Sequence, residues 1–429
     1  MTVTKGRRFL PSLSLQVLAA LALGLIVGAI AQSRGLPGGA ETASFIGSLG
    51  QLWLNALKMT IVPLVFSLLV TGIASIAGAA HGPGRAGLLA GRALMVFAIL
   101  IVVATVYAIG AAYGLHAIWP IDPEGGARLI AGAPPSPEGV GPGAPFGEFL
   151  KTLAPANPIR AAAEDAILGL VVFAVFFGFA ATRLPDRLRL PLVTFFEAVA
   201  ETMIVIVRWV LMAAPVGVFA LALGVGLSAG VGAAGTLAHY VAIVSLATIG
   251  ITLLCYPLVL AFGKVSLAGF ARGVAPAQVV AFSTQSSLAS LPVMVERAVD
   301  ALGVSRPTAG LVLPLAVAVF RITSPVANLG VVIYCAHLFG IEPSMGQLVA
   351  AGLTAVLVSI GSVGLPGQIS FFVSIAPICI AMGVPLEILP LLLAVEVIPD
   401  IFRTVGNVTA DMAVARIVED EVGDPAEPA

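Results

Sequence analysis

The sequence predicts an all-α polytopic membrane protein with eight transmembrane helices and two further, interrupted apolar segments. Its 429 residues are 59% hydrophobic and only 10% charged, whereas a soluble domain carries about 25% charged residues. Eight apolar runs are close to or longer than the ~20 residues that cross the hydrocarbon of a bilayer. They cover approximately residues 12–32, 46–78, 93–117, 166–182, 193–225, 236–262, 307–339 and 388–415.

The two interrupted segments, at about 275–295 and 350–382, run from small and hydroxylic residues into Leu-Pro. Irregular backbone at membrane depth persists only where protein or a water-filled cavity satisfies its polar groups. Two such segments therefore indicate a transporter binding site, and the alternative is a pair of ordinary helices with serine and glycine at packing faces. Their centres read FSTQSSLASLP over 282–292 and SIGSVGLP over 359–366, between short apolar arms at 268–282, 291–300, 346–358 and 368–382.

The last apolar run contains a stripe of polar residues. Asp400, Arg403, Thr404, Asn407 and Asp411 occupy positions i, i+3, i+4, i+7 and i+11, which share one face of a helix. A charged side chain near the bilayer centre costs at least ~2.5–3.5 kcal/mol and usually marks a functional site. The stripe therefore predicts that this helix lines a binding site for a small charged or polar solute.

The run at 307–339 carries a second sign of a cavity. Pro325 removes a backbone donor within TSPVANLG (323–330), so we expect the helix to kink or unwind there. Arg321 lies just before this sequence, far from either predicted membrane surface, and must therefore face the cavity and an acid. Asp400 and Asp411 are the acids at a similar predicted depth.

Other features of the sequence exclude several classes of function. A net charge of −1 gives no indication of a nucleic-acid partner. No phosphate loop, dinucleotide fingerprint or paired metal-ligand motif is present, so we expect no cofactor and no metal centre. The three cysteines are expected to be buried free thiols, and the four histidines are expected to be scattered structural residues.

The distribution of basic residues predicts that both termini are cytoplasmic. Lysines and arginines near the N-terminus and in the short loops fall on one side of the membrane if eight helices span it. The loop at 120–146, which is more acidic than basic, falls on the other side. We expect a plasma-membrane protein, in a bacterium one of the inner membrane, and we expect the acidic tail at 419–427 to be a solvated end.

Taken together, these motifs resemble the glutamate/aspartate transporters of the dicarboxylate/amino-acid:cation symporter family. LKMTIVPLVF at 57–66 is similar to the second-helix signature of that family, and residues 156–158 and 214–219 are similar to marks of its fourth and fifth helices. The interrupted segments resemble its two re-entrant hairpins. The stripe at 400–411 matches its last-helix motif position for position, and the resemblance covers nearly the whole chain.

The resemblance implies a homotrimer in the lipid bilayer, in which each protomer has a scaffold and a transport domain that moves as an elevator. Residues 1–82 would form scaffold helices 1 and 2, and residues 83–118 would form helix 3 of the transport domain. Residues 119–228 would form a loop and scaffold helices 4 and 5. Residues 229–429 would form helices 6, 7 and 8 and both hairpins of the transport domain, followed by a cytoplasmic tail.

The resemblance also implies roles for individual residues. Arg403 would bind the distal carboxylate of an acidic substrate, because a planar guanidinium meets a carboxylate with two parallel hydrogen bonds. Asp400 would bind the substrate ammonium, and Thr404 and Asn407 its other polar groups. The first hairpin tip, at Ser286 and Ser287, would donate to the main-chain carboxylate. The second tip, expected to be the extracellular gate, would contain Gly364, Pro366 and Gly367.

The chain departs from the family pattern where its relatives hold sodium. The family usually carries NMDGT where this chain has FRITS at 320–324, residues 83–104 contain no hydroxyl side chain, and Gln285 stands where many prokaryotic members have arginine. Hard cations need several oxygen ligands to replace their water. We therefore hypothesise that Arg321 is a built-in cation, which would pair with Asp411 or reach the carbonyls of the second hairpin. Gln285 and Ser324 belong to the same coupling region.

The predicted function is secondary transport of aspartate or glutamate without sodium, either proton-coupled or facilitated. Asp411, Asp400 and Glu396 are candidates to carry a proton, since burial favours the neutral form of a carboxyl group. The alternatives are a sodium- or proton-coupled C4-dicarboxylate symporter of the same family, an anion channel and an intramembrane aspartyl protease. We expect no enzyme, because an arginine between two aspartates on one helix suits ligand binding better than a shared-proton pair.

Overall fold

The fold is helical throughout the residues that a computed structural model describes, which are 13–34, 39–80, 84–131, 155–164, 167–229, 232–361 and 367–422. These ranges contain eighteen α-helices and no β-strand, which confirms the predicted all-α class. The helices are α1 (Leu13–Arg34), α2 (Gly39–Lys58), α3 (Ile61–Ala80), α4 (Gly84–Ile118), α5 (Pro123–Ala131), α6 (Pro158–Ala163), α7 (Ile167–Thr182), α8 (Asp186–Met212), α9 (Ala214–Ala229), α10 (Gly232–Phe262), α11 (Leu267–Thr284), α12 (Ser287–Leu302), α13 (Arg306–Val319), α14 (Thr323–Leu338), α15 (Met345–Gly361), α16 (Gly367–Met382), α17 (Leu389–Val395) and α18 (Val397–Val422).

Several of these helices are long and apolar enough to cross a membrane. In the described part of the chain there are five such spans, and shorter apolar helices such as Gly169–Thr182 and Phe371–Met382 accompany them. The chain is therefore polytopic, while the number of eight transmembrane helices stays a prediction. The five spans are Phe45–Ala74, Gly87–Ile118, Asp186–Met212, Ala234–Phe262 and Arg306–Leu338.

The helices pack in two groups. In one group α9 packs on α1 and α2, and α3 packs on α7 and α8. In the other, α18 packs on α10, α11, α12 and α13, and α14 packs on α4. The groups meet where α3 contacts α4 and α15. The domain boundaries drawn from the sequence remain a prediction.

Glycine permits a close approach of α1 and α9. A Cβ atom at Gly28 would lie 2.5 Å from the carbonyl oxygen of Leu223, and one at Gly226 would lie 2.5 Å from the carbonyl oxygen of Leu25. Backbones that approach this closely at small residues are typical of packed membrane helices.

The first interrupted segment forms two helices, α11 and α12, that pack against each other and turn at two residues. Gln285 has a left-handed φ of 52° and ends α11, and its N–H donates to the carbonyl of Ala281. Ser286 is the N-cap of α12, where its hydroxyl accepts a hydrogen bond from the N–H of Ala289. The second interrupted segment forms α15 and α16, which also pack together.

The long run at 307–339 is broken, but earlier than the sequence predicted. The break lies at residues 320–322, between α13 and α14, and Arg321 is at its centre. Pro325 is the third residue of α14 and lies in its first turn. The expected unwinding at Pro325 is therefore wrong, because a proline in the first turn removes a donor that has no partner within the helix.

Helix α18 remains packed against the protein at Glu419, where the sequence predicted a solvated tail. Only 8% of Glu419 is exposed, and its Oε2 accepts a hydrogen bond from the hydroxyl of Ser305 at 3.0 Å. The expectation of a solvated end is wrong for this residue, because it closes onto the N-cap of α13. Residues 423–429 lie outside the described ranges.

Candidate substrate site

The predicted stripe lies on α18 and faces the break between α13 and α14. Asn407 Oδ1 accepts hydrogen bonds from the backbone N–H of Thr323 at 3.1 Å and from its hydroxyl at 2.8 Å. The same hydroxyl is also 3.1 Å from the carbonyl oxygen of Arg403. The stripe therefore supplies an acceptor for a backbone N–H and a hydroxyl at the start of α14, which would otherwise lack this partner in the membrane.

Arg403 is buried and is held by two protein groups. Its Nη2 donates to Oδ1 of Asn328, on α14, at 3.1 Å and lies 3.3 Å from Oε1 of Glu396. The other oxygen of Glu396 accepts a hydrogen bond from the hydroxyl of Tyr240, on α10, at 2.8 Å. A guanidinium placed in this way is available to bind an anion once its internal partner is displaced.

Sequence reasoning did not identify the partners of Arg403. Glu396 was named only as a candidate proton carrier, although it lies seven residues before Arg403 and so shares its face of a helix. That spacing could have revealed the pair. Tyr240 and Asn328 come from other helices, and the sequence carries no local signal that brings them to Arg403.

Asp400 and Thr404 are the stripe residues in the first two turns of α18. Asp400 is half-buried and interacts electrostatically with the guanidinium groups of Arg403 and Arg321. The hydroxyl of Thr404 donates to the carbonyl of Asp400 at 2.9 Å, so it is bonded to its own helix. Asp400 thus lies within electrostatic range of both guanidinium groups.

Arg321 lies within electrostatic range of Asp400 and Asp411, but it forms no salt bridge within 4.0 Å among the described residues. Both oxygens of Asp411 are buried and have no hydrogen-bond partner. The expected direct pair between Arg321 and Asp411 is therefore not formed in this structure. Ser324 is bonded through its N–H to the carbonyl of Arg321 at 3.0 Å and lies in the first turn of α14.

Two aromatic rings close one side of the break. Phe97 of α4 stacks on Phe320 with ring centroids 4.5 Å apart and an interplanar angle of 8°. Both residues are buried. Next to Arg321, α4 therefore contributes an aromatic ring, that of Phe97, to the side of the break.

The hairpin tips are described only in part. Gln285 and Ser286 form the turn of the first hairpin and Ser287 begins α12, which packs on α18. Gly364 and Pro366 lie outside the described residues, and Gly367 is the first residue of α16. The predicted contacts of both tips with a substrate stay predictions.

The charged groups around the stripe do not balance. Asp400 and Asp411 lie near Arg403 and Arg321, and Glu396, which contacts Arg403, adds a third carboxylate. Three carboxylates and two guanidinium groups leave one negative charge when all are ionised. One proton would make the site neutral.

Three of the four histidines, which are far apart in the sequence, meet near the end of α4. His116 stacks on His337 with centroids 4.3 Å apart, and His239 lies between the hydroxyl of Tyr334 and the carbonyl of Trp119, 3.1 Å from each. In the ranges that the structure covers, no group of three histidine, cysteine or acidic side chains could hold a metal ion. The three cysteines are buried free thiols, as expected.

The match to a family model decides the identity of the chain. The model for the sodium:dicarboxylate symporter family matches residues 13–421, which include the broken helices and the whole stripe. The chain belongs to this family. The predicted resemblance to this family is confirmed. The chain is a multi-pass membrane transporter of the dicarboxylate and amino-acid symporter class, not an enzyme.

Relatives of this symporter differ in their named substrates and ions. The chain is 29% identical over 417 residues to the proton/glutamate-aspartate symporter of Escherichia coli K12, which covers 94% of this chain and 92% of that protein. It is 27% identical over 408 residues to the proton/sodium-glutamate symport protein of Bacillus subtilis, covering 95% and 91%. It is 28% identical over 426 residues to the C4-dicarboxylate transport protein of Azorhizobium caulinodans, covering 96% and 90%.

Proposed function

We propose that this symporter carries acidic amino acids across the membrane without sodium, and that Arg321 takes the place of a bound cation. The observation that carries the proposal is the presence of two guanidinium groups at one buried site. Arg403 would anchor the substrate, and Arg321 would supply positive charge near Asp400 and Asp411. Transport would be either proton-coupled or facilitated.

The substrate assignment follows from Arg403 and Asp400. A guanidinium fork binds a carboxylate through two parallel hydrogen bonds, and Arg403 already faces one carboxylate and one amide oxygen. Asp400 lies beside it and would bind the ammonium of an amino acid. An acidic amino acid presents both groups, and the E. coli relative is named for glutamate and aspartate.

The absence of a sodium requirement follows from the groups around the break. Sodium is a hard cation, which needs several oxygen ligands in place of its water. Here the rings of Phe97 and Phe320 stack beside the break, and Arg321 at its centre lies within electrostatic range of Asp400 and Asp411. A fixed positive charge beside the acids also opposes the entry of a second cation.

Uptake into proteoliposomes tests the proposal. Labelled aspartate should accumulate or equilibrate equally well when external sodium is replaced by choline. An absolute requirement for sodium would overturn the role of Arg321 and leave the assignment to the family unchanged.

A C4-dicarboxylate is the second candidate substrate, because the A. caulinodans relative is named for it. A dicarboxylate lacks an ammonium, so it would face Asp400 without a favourable contact. Excess succinate or malate should therefore compete weakly with labelled aspartate. Stronger competition by succinate than by unlabelled aspartate would favour the dicarboxylate.

The proposal includes a homotrimer whose transport domains move as elevators, in a bacterial inner membrane with cytoplasmic termini. The exposed face of α8 supports association with other copies. Glu197, Glu201 and Arg208 are exposed within the apolar span Asp186–Met212, and charges facing lipid are costly. Cross-linking of the protein in native membranes should give a trimer, and a monomer would contradict this part of the proposal.

A further inference from the structure

In this structure the guanidinium of Arg403 is held by a carboxylate of the protein itself. Nη2 of Arg403 lies 3.3 Å from Oε1 of Glu396. We propose that Glu396 carries a coupling proton, and that its protonation releases Arg403 to bind the carboxylate of the substrate. This inference rests on the proposed function, because it takes Arg403 as the substrate's anchor.

The position of Glu396 suits a residue that is displaced in each transport cycle. It is the single residue between α17 and α18, and its carbonyl accepts a hydrogen bond from the N–H of Asp400 at 2.9 Å. Only 1% of Glu396 and 7% of Arg403 are exposed. The pair is thus shielded from water, which would otherwise weaken it.

The contact between Glu396 and Arg403 is close but poorly aligned. Oε1 of Glu396 and Nε of Arg403 are both buried and have no hydrogen bond of good geometry. A carboxylate that meets the guanidinium fork squarely forms two charge-assisted hydrogen bonds. A substrate carboxylate can therefore replace Glu396, provided that the displaced charge of Glu396 is neutralised.

Few other charged groups face Glu396. Tyr240 of α10 donates to Oε2 at 2.8 Å, Cys335 of α14 lies near Tyr240, and Asp400 is the nearby acid on α18 itself. On the side of α1, the flanking Val395 and Ile398 line an apolar cavity of about 470 Å³. Among these described neighbours, Arg403 is the positive charge, so Glu396 loses its counterion when the substrate binds.

Charge counting then favours a proton on Glu396. An acidic amino acid brings two carboxylates and one ammonium, so it adds one negative charge to a site that already has one in excess. A buried carboxylate whose partner is removed is strongly destabilised unless it is neutralised. One proton added to Glu396 keeps the charge of the loaded site equal to that of the empty site.

The proton balance of the step is simple. Glu396 takes one proton from water as the substrate carboxylate takes its place on Arg403, and no other covalent bond changes. After the substrate leaves on the other side, Glu396 loses the proton and pairs with Arg403 again. One proton would accompany each substrate molecule.

Aspartate binding to the purified protein, measured by calorimetry across pH, tests this inference. When Glu396 is charged in the empty protein, the Kd of the unmodified protein should rise about tenfold per pH unit, as linkage to one proton requires. Glu396→Gln has no proton to exchange, so its Kd should stay constant over the same range. The slope of log Kd against pH is the deciding quantity. A slope that persists in Glu396→Gln, or a Kd of the unmodified protein that does not change with pH, would overturn the proposal.

Two further variants keep the test informative if Glu396→Gln does not fold. Glu396→Asp retains a titratable group and should retain the slope. Tyr240→Phe removes the hydrogen bond to the charged form, so tight binding should extend to higher pH with the slope unchanged. The role of Glu396 would be contradicted if the Kd of Glu396→Asp did not depend on pH. It would also be contradicted if Tyr240→Phe lost tight binding at the same pH as the unmodified protein.

The same titrations repeated in sodium and in choline separate this inference from the proposed function. If aspartate binds only in sodium, the proposed function fails, yet the slope still reports on Glu396. If binding ignores sodium and Glu396→Gln keeps the slope, the proposed function stands and the proton is elsewhere, with Asp411 the next residue to replace.

Discussion

The side-chain oxygen of Asn407 accepts hydrogen bonds from both the backbone N–H and the hydroxyl of Thr323, at 3.1 and 2.8 Å. One amide thereby fixes the start of α14 to the helix that carries Arg403. Both residues are buried, so water cannot replace these bonds. The break at Arg321 is stabilised because Asn407 of α18 accepts the N–H of Thr323, which has no partner within its own helix.

Replacing Asn407 should destabilise the protein. Asn407→Ala leaves the two donors of Thr323 without this acceptor, at a cost of about 1–3 kcal/mol for a buried unsatisfied group. The free energy of unfolding in detergent measures the loss. Thr404→Val is the matched control, because the Thr404 hydroxyl bonds within its own helix, to the carbonyl of Asp400. An equal loss in both variants would contradict a specific role for Asn407.

Exchanging the charged group at Arg403 should weaken substrate binding. Arg403→Lys keeps the charge but removes the planar fork, so aspartate should bind about 10–150-fold more weakly, as expected for a lost charge-assisted hydrogen bond of about 1.5–3 kcal/mol. Calorimetry gives the Kd. Arg416→Lys, on the same helix with its Nε 2.9 Å from the carbonyl of Gly263, should leave the Kd unchanged. Unaltered binding in Arg403→Lys would exclude Arg403 as the anchor.

Removing the charge at Arg321 should lower uptake without creating a response to sodium. Arg321→Met deprives Asp400 and Asp411 of a nearby positive charge, but it adds no oxygen ligand. Uptake of labelled aspartate into proteoliposomes, with and without sodium, is the measurement. Arg321→Lys keeps the charge and should retain more activity than Arg321→Met. Stimulation of Arg321→Met by sodium would show that the site still holds enough oxygen ligands.

A methyl group at Gly28 should disturb the packing of α1 on α9. Its Cβ would lie 2.5 Å from the backbone oxygen of Leu223, whereas a Cβ at Gly110 of α4 has no atom within 4 Å. Overpacking of this kind costs about 1–3 kcal/mol, and alanine at an open helix position gains up to about 1 kcal/mol. The Tm of Gly28→Ala should therefore be lower than that of the unmodified protein, and the Tm of Gly110→Ala should be equal or higher. The reverse order would contradict the close approach of the two helices.

The sequence predicted those parts of the site that lie on a single helix. The stripe at 400–411 has helical spacing, and it lies on α18 facing the break, because the 3.6-residue period alone determines which residues share a face. The first interrupted segment could be predicted for a similar local reason, since its serines and prolines disfavour a continuous helix.

The sequence did not predict contacts between distant helices. Arg321 was expected to meet Asp411, but it is in electrostatic range of Asp400 and Asp411 without a salt bridge to either among the described residues, and Glu396 pairs with Arg403 instead. Tyr240, Asn328 and the meeting of three histidines depend on how α4, α10 and α14 pack, which no local pattern encodes. The position of the break was misjudged, because proline is tolerated in the first turn of a helix.

The most direct test of the central claim is the binding of aspartate to the purified symporter at one fixed pH, first in choline and then in sodium. If Arg321 replaces the bound cation, the two dissociation constants will be equal. A Kd in sodium that is tenfold or more below that in choline would show that a metal ion still enters the site, and that Arg321 does not replace it.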